Sequence, residues 1–317
     1  MNDSRLQVAL IQMAPELLDR EATTQKLLAR IDEAIGQGAE LIVTPEAILP
    51  GYPFWLDPTG GARFNDERQK RWFQRYAQAA VSIERGDLQI FCERTLGTKV
   101  GLLLGIIERA SDRGGHSLYC SLVYIAEGKV KNVHRKLQPT YEERLVWSPG
   151  DGHGLRTFPI GNFTLGGLNC WENWMPLPRA ALYGQGENLH VAVWPGNVRN
   201  TEILTRFLAR EGRSYVLSCC GVFLRQNFPA NIFDQNELDP AMPEVLADGG
   251  SCIAAPDGSW LVEPVTGGET IVYAELDYDF ILRERQNFDP AGHYSRPDVT
   301  QLTVNRTRQS TVRFEED

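Results

Sequence analysis

Four residues of the 317-residue chain combine a reactive side chain with a setting that suits covalent chemistry. Cys170 stands in GGLNCWENWMPL, directly after the apolar run Phe163–Asn169 and before a turn into a helix that begins near Pro176. A thiol at a strand tip, followed by a tight turn with backbone N–H groups close by, resembles a nucleophile elbow. Glu46 stands in TPEAILPGYP, just past the run Leu41–Thr44, where α/β proteins place reactive groups. Pro45, Pro50, Gly51 and Pro53 stiffen the loop around it. Lys136 closes the run Lys129–Lys136, and Glu143 follows seven residues later in HRKLQPTYEERLVW. Taken singly, each has a plainer explanation: a core cysteine, a solvated loop glutamate, a basic strand edge that discourages pairing, a surface charge run. The plain explanation fits Cys92, Cys120, Cys219, Cys220 and Cys252, which fall inside predicted helices or strands. Cys170 alone has a turn context, and a partly exposed thiolate that reacts ahead of the buried thiols is expected there.

The elements that must position these groups are legible as apolar runs and helical periods. Gln7–Met13 and Leu41–Thr44 read as buried strands, with a helix over Glu21–Ile35 between them carrying Leu27, Leu28, Ile31 and Ile35 at helical spacing. A second helix is predicted over Asp66–Ile83 and a short one over Leu88–Arg94. A third strand follows over Val100–Ile107, then a hairpin, Ser117–Ile125 with Lys129–Lys136, around Glu127-Gly128. The second half repeats the order: strand Phe163–Asn169, helix Pro178–Tyr183, strand Leu189–Trp194, helix Thr201–Arg213, strand Val216–Phe223. A hairpin of Ser251–Ala255 and Ser259–Val262 completes it. Two such halves each make a mixed sheet with helices on one face. Packing their bare faces gives a four-layer α-β-β-α sandwich. The doubly wound alternative wants a glycine-rich first turn, and Met13-Ala14-Pro15-Glu16 has no glycine. No GxxxxGK[ST] or GxSxG occurs. The catalytic domain is set at 6–279, with 280–317 as a C-terminal segment. Its end, Thr300–Asp317, has no clear period and reads as a tail, flexible or docked on a partner subunit.

Composition narrows the function classes. Lys+Arg 32 against Asp+Glu 41 leaves a net charge of −9, which disfavours phosphate backbones and so argues against a nucleic-acid partner. The longest aliphatic run, Val100–Ile107, is far short of the roughly 20 residues a bilayer span needs. The start, MNDSRLQVALIQMAP, lacks the basic region of an export signal, so the protein is read as cytoplasmic. Six cysteines without a CxxC pair, and five scattered histidines without HExxH, offer neither a disulfide framework nor a metal site.

Together the three motif segments resemble the nitrilase (carbon–nitrogen hydrolase) superfamily, which sets a Glu, a Lys and a Cys at the ends of separate strands in that order. Glu46 in TPEA, Lys136 in HRKLQPT and Cys170 in NCWEN match them, and Glu143 in PTYEER matches the family's second glutamate. The likeness runs from VALIQMAP to HYSRPDV, and CWENWMPL looks like true nitrilases, although those often have His where this chain has Asn173. The resemblance implies the four-layer sandwich, pairing of subunits into an eight-layer dimer, and a homodimer or an assembly of dimers. It implies no cofactor and no metal. It implies that Cys170 attacks a nitrile carbon, Glu46 moves the protons, Lys136 supplies fixed positive charge and Glu143 holds Lys136 or water. The N–H of Trp171 is a candidate anion donor. Thioimidate and thioester would follow in turn, releasing ammonia and a carboxylic acid. Trp171, Tyr52 and Trp194 are expected to line the substrate pocket, with aromatic or arylaliphatic nitriles favoured. The rival is an amidase or carbamoyl-hydrolase built from the same Glu, Lys and Cys.

Overall fold

The computed structural model describes residues 4–232, 238–312 and 315. The first half runs β1 (Arg5–Gln12), α1 (Arg20–Gly36), β2 (Leu41–Val43), α2 (Glu67–Ala79), α3 (Gln89–Thr95), β3 (Gly101–Arg109), β4 (Leu118–Ala126) and β5 (Lys129–Arg135). The second runs β6 (Phe158–Ile160), β7 (Phe163–Asn169), α4 (Pro176–Tyr183), β8 (Leu189–Trp194), α5 (Val198–Gly212), β9 (Tyr215–Cys220), β10 (Val222–Leu224), β11 (Val245–Ala254) and β12 (Trp260–Thr266). β13 (Thr270–Asp277) and α6 (Tyr278–Arg285) follow.

Strand alternation sets the layers. Leu6, Val8 and Leu10 of β1 join the cluster between the two sheets, where they meet Leu165, Val191 and Leu217 of the second half. Ala9 and Ile11, facing the other way, pack with Leu27, Leu28 and Ile31 of α1 and Phe91 of α3. On the far side, α5 contributes Leu204 and Leu208 to a cluster with Ala192, Val216 and Ala254. The fold is therefore α/β, with two mixed sheets face to face and helices on both outer faces.

Both halves share one strand pattern. The first sheet has the order β13-β1-β2-β3-β4-β5, parallel through β1, β2 and β3, then antiparallel through β4 and β5. The second has the order β10-β11-β9-β8-β7-β6 with β12 on β11, and β7, β8 and β9 parallel. Because β5 runs antiparallel to an antiparallel neighbour, its C-terminal end lies at the same edge as that of β2.

The structure departs from the periodicity reading at several points. The helix predicted over Asp66–Ile83 stops at Ala79, because Ala80 turns extended and Val81 hydrogen-bonds to Ile107 and Arg109 beside β3. The strand predicted over Val216–Phe223 breaks at Gly221, where a Cβ would sit 2.7 Å from the Pro195 carbonyl oxygen. β13 crosses back to the first sheet and pairs along the whole of β1, from Arg5↔Asp277 to Gln12↔Thr270. The C-terminal tail lies on its own chain: Arg308 reaches Asp151 and the Val133 carbonyl, and the His153 ring meets the Arg306 carbonyl oxygen. Residues 313, 314, 316 and 317 of the predicted tail are outside the described residues. Among the described residues no helix is long and apolar enough to cross a membrane.

Candidate active site

Glu46 follows β2 by three residues, on a loop held against β3. Thr44 Oγ1 accepts from Gly105 N (3.0 Å), Leu49 N donates to Gly105 O (3.3 Å) and Ile107 N to Leu49 O (2.7 Å). The loop can lie that close only because β3 carries glycine there. A Cβ on Gly105 would be 2.0 Å from the Pro45 carbonyl oxygen and 3.0 Å from Glu46 Cα. Lys136 is the first residue after β5, and its N–H donates to Cys120 O at 2.8 Å. Beside it the buried Arg135 forks onto Glu108 (2.7 and 2.9 Å), fixing the end of β5 across the sheet. Glu143 sits in a single helical turn, Tyr141–Leu145, and Cys170 opens another, Cys170–Trp174, directly after β7. Cys170 has φ +47°, a left-handed conformation that costs a non-glycine residue roughly 1–2 kcal/mol. It is a strained elbow of the kind expected for a presented nucleophile.

These four side chains meet. Lys136 Nζ lies 2.9 Å from Glu46 Oε1 and 2.7 Å from Glu143 Oε2, with all three groups enclosed. One carboxylate oxygen of each glutamate and the Cys170 sulfur lie within 4.8 Å of one another. That spacing would also accept a metal ion, but the cation lying against both carboxylates is the Lys136 ammonium. Burial pushes the Glu46 carboxyl up to about 7, with Lys136 opposing the rise and Glu143 adding to it. Burial also pushes the Cys170 thiol well up, against the pull of Lys136 and a hydrogen bond from the Trp171 N–H. Burial pulls the Lys136 ammonium down, but the anionic groups around it, the Glu46 and Glu143 carboxylates among them, outweigh it and hold the group protonated.

The thiol thus departs from expectation. Cys170 is only 4 % exposed, no more open than Cys92 at 5 %, and it rests as a thiol rather than a thiolate. The carboxyl of Glu46, raised to about 7, lies within 4.8 Å of the sulfur.

The predicted pocket residues fall in three places. The Tyr52 hydroxyl donates to Glu143 Oε1 at 2.9 Å, and its ring meets Trp147 edge-on at 5.5 Å. Trp147 in turn lies 5.4 Å from Lys136 Nζ. Trp171 and Trp174 are half exposed beside the nucleophile, whereas Trp194 is fully enclosed behind it, with its Nε1–H on Ser218.

Three further residues belong to this site by geometry and are not anticipated by the sequence motifs. Cys120 lies 3.5 Å from Glu46 Oε1, so a second thiol faces the carboxylate. Glu172 accepts from Leu137 N (2.6 Å) and Asn169 N (2.9 Å) and pairs with His134 Nε2 at 3.1 Å. It thereby straps the residue after Lys136 to the residue before Cys170. Its burial opposes ionisation, but His134 and the two N–H groups hold the carboxyl below its ordinary range.

Comparison with known proteins agrees with this geometry. The family model "Carbon-nitrogen hydrolase" matches residues 7–283. An aliphatic nitrilase of Sinorhizobium fredii is 36 % identical over 311 residues, covering 98 % of both chains. Nitrilase 2 of Arabidopsis thaliana is 34 % identical, covering 98 % of this chain and 91 % of its own. Among solved structures, Saccharomyces cerevisiae Nit3, a member of branch 10 of the nitrilase superfamily, superposes with a TM-score of 0.68. Its identity is 20 %, over 92 % of this chain and 96 % of that one.

Proposed function

We propose a nitrile substrate for this chain, which belongs to the carbon–nitrogen hydrolase family and, within it, to the nitrilase branch. It is a cysteine-nucleophile hydrolase of carbon–nitrogen bonds. The reading assigned to it is conversion of an organic nitrile and two waters into a carboxylic acid and ammonia. The observation that carries the assignment is the enclosed cluster of one thiol, one lysine and two carboxylates within hydrogen-bonding reach.

In this reading Glu46 takes the Cys170 proton as Sγ bonds the nitrile carbon, and returns it to nitrogen to give a thioimidate. Glu46 then deprotonates a water that adds to the same carbon. The protonated Glu46 delivers that proton to nitrogen, then carries the proton of the new hydroxyl to it as well; the C–N bond breaks as the C=O forms, and ammonia leaves a thioester. A second water, activated in the same way, adds to the thioester carbon. The C–S bond breaks, the acid departs and the thiol is restored. A carboxyl near 7 suits both halves of this cycle, since it is available in either protonation state at neutral pH. Lys136 and the Trp171 N–H face the negative charge that develops at each addition. Glu143, held by Tyr52 and the Thr140 N–H, fixes Lys136. Tyr52, Trp147 and Trp171 make aromatic or arylaliphatic nitriles the first choice.

We further read the protein as a cytoplasmic homodimer or assembly of dimers, with a hydrolase domain over 6–279 and subunit contacts that include part of 280–317. Supporting the first is that all six cysteines are free thiols. Supporting the second are Leu177, Ile203 and Phe207, apolar and exposed on α4 and α5. The eight-layer pairing is tested by light scattering, and a monomer as the active species would refute it. The chemistry is tested by ammonia release from phenylacetonitrile and phenylacetamide, and from an aliphatic nitrile and its amide. Nitriles should turn over faster by about one to two orders of magnitude in kcat/KM, because an amide brings polar groups that need partners of their own. Equal or faster amide turnover would make the enzyme an amidase.

A further inference from the structure

A buried polar chain runs from the second sheet into the nucleophile turn, and the chemistry above leaves it unused. Glu187 Oε1 lies 2.9 Å from His190 Nδ1, and His190 Nε2 lies 2.7 Å from Asn173 Oδ1. Asn173 Nδ2 donates to Cys170 O at 2.8 Å and to Leu168 O at 3.3 Å. All three side chains are enclosed. The chain has one polarity. Two carbonyl oxygens can only accept, so the Asn173 amide nitrogen must face them and its oxygen must face His190. His190 Nε2 therefore carries a hydrogen, and Nδ1 is left to Glu187. Space for that carboxylate is provided by Gly166, where a Cβ would lie 2.0 Å from Glu187 Oε1. The far end of the chain grips the carbonyl of the Cys170–Trp171 peptide. A peptide is planar, so fixing its C=O fixes its N–H, and the Trp171 N–H is the one that points at the sulfur. The grip also holds Cys170 in a left-handed conformation it would otherwise leave.

We propose that Glu187, His190 and Asn173 are positioning residues that aim the Trp171 N–H at the negative charge formed when Cys170 adds to substrate. The proposal rests on Cys170 being the nucleophile. It is tested with whichever of phenylacetonitrile or phenylacetamide the wild type hydrolyses, together with inhibition by phenylacetaldehyde. That aldehyde adds reversibly to a thiol, and the oxygen of the resulting tetrahedral adduct would use the same N–H. Asn173→Asp keeps the shape and the His190 contact and, assayed at about pH 9 to favour the carboxylate, cannot donate to Cys170 O. It should lose about 10- to 100-fold in kcat with KM within about 2-fold, and aldehyde inhibition should weaken by a similar factor. A glutamine nitrogen reaches where His Nε2 does and an asparagine nitrogen does not. His190→Gln should therefore lose less than about 3-fold while His190→Asn loses about 10-fold or more. Unchanged kcat in Asn173→Asp, or a kcat loss with undiminished aldehyde inhibition, would overturn the proposal. So would equal losses in the two His190 variants, a pair that decides the matter even if Asn173→Asp fails to fold. Turnover that survives Cys170→Ala would instead refute the nucleophile assignment, and the relay with it.

Discussion

Replacing Glu143 by glutamine should move the acid limb of the kcat/KM profile to lower pH. In the wild type the Glu46 carboxyl is raised to about 7 by burial, against Lys136 and with help from Glu143. A base must be ionised in the free enzyme, so the competent fraction should fall to about a tenth at pH 6 and about a hundredth at pH 5. The carboxylate oxygens of Glu46 and Glu143 are no more than 4.8 Å apart. At an effective dielectric of about 20, two charges at that distance repel by about 3.5 kcal/mol, or about 2.5 pH units. Lys136 lies against both and offsets part of this, and the amide oxygen of the Glu143→Gln variant would still accept from its ammonium. The expected shift is therefore about 1–2 units downward, with a loss in kcat because Lys136 is less firmly held. The limb belongs to the coupled pair in the wild type and to Glu46 alone in the variant. Ammonia release measured between about pH 4.5 and 9 at constant ionic strength gives both profiles. A limb that stays within about 0.3 unit, or moves upward, would refute the electrostatic reading of the cluster and leave Glu143 as a structural brace.

Other outcomes follow from the same cluster. Glu46→Gln should be inactive yet more stable than wild type at high pH. The folded carboxyl is raised from 4.5 to about 7, so ionisation opposes folding. The wild-type penalty is absent below pH 4.5, grows from there to about 7, and should reach at most about 3 kcal/mol above it. Urea unfolding at about pH 4.5 and about pH 8 measures the gap, and an equal gap at both would contradict the assignment. Cys170→Ala should fold with wild-type circular dichroism and show no turnover, and Lys136→Met should lose at least about three orders of magnitude in kcat. Gly105→Ala should cut activity by displacing the Glu46 loop, because its Cβ would fall 2.0 Å from Pro45 O. Wild-type kcat in that variant would mean that the loop does not need β3.

What is legible in the sequence, and what is hidden there, divides along one physical line. Continuous apolar runs closed by polar residues mark strands correct to the residue, as with Phe163–Asn169 and Leu189–Trp194. Glu46 and Cys170 stand out because each lies just beyond such a run, where the chain stops obeying the strand period, and Lys136 because it closes the predicted second strand of the hairpin. β6 escapes because it has three residues and a proline. β13 escapes because its one-sided burial gives no hint of which sheet it completes. The deeper failures concern partners. Burial of Cys120 follows from its strand, but periodicity says only that a side chain faces inward. That it faces Glu46, 74 residues away in sequence, depends on the register of β4. His134 and Glu172 are 38 residues apart, and each looks like an ordinary charged residue until the sheets pack. The same packing explains the depth of Cys170. A turn after a strand suggests exposure, yet Cys170 is buried, and Glu172 ties the loops that carry Lys136 and Cys170 together. A buried thiol rests protonated and is protected from casual oxidation. Its reactivity then depends on a base brought within reach by the fold. For that reason the strap between the two loops is as much a condition of the chemistry as the cysteine itself.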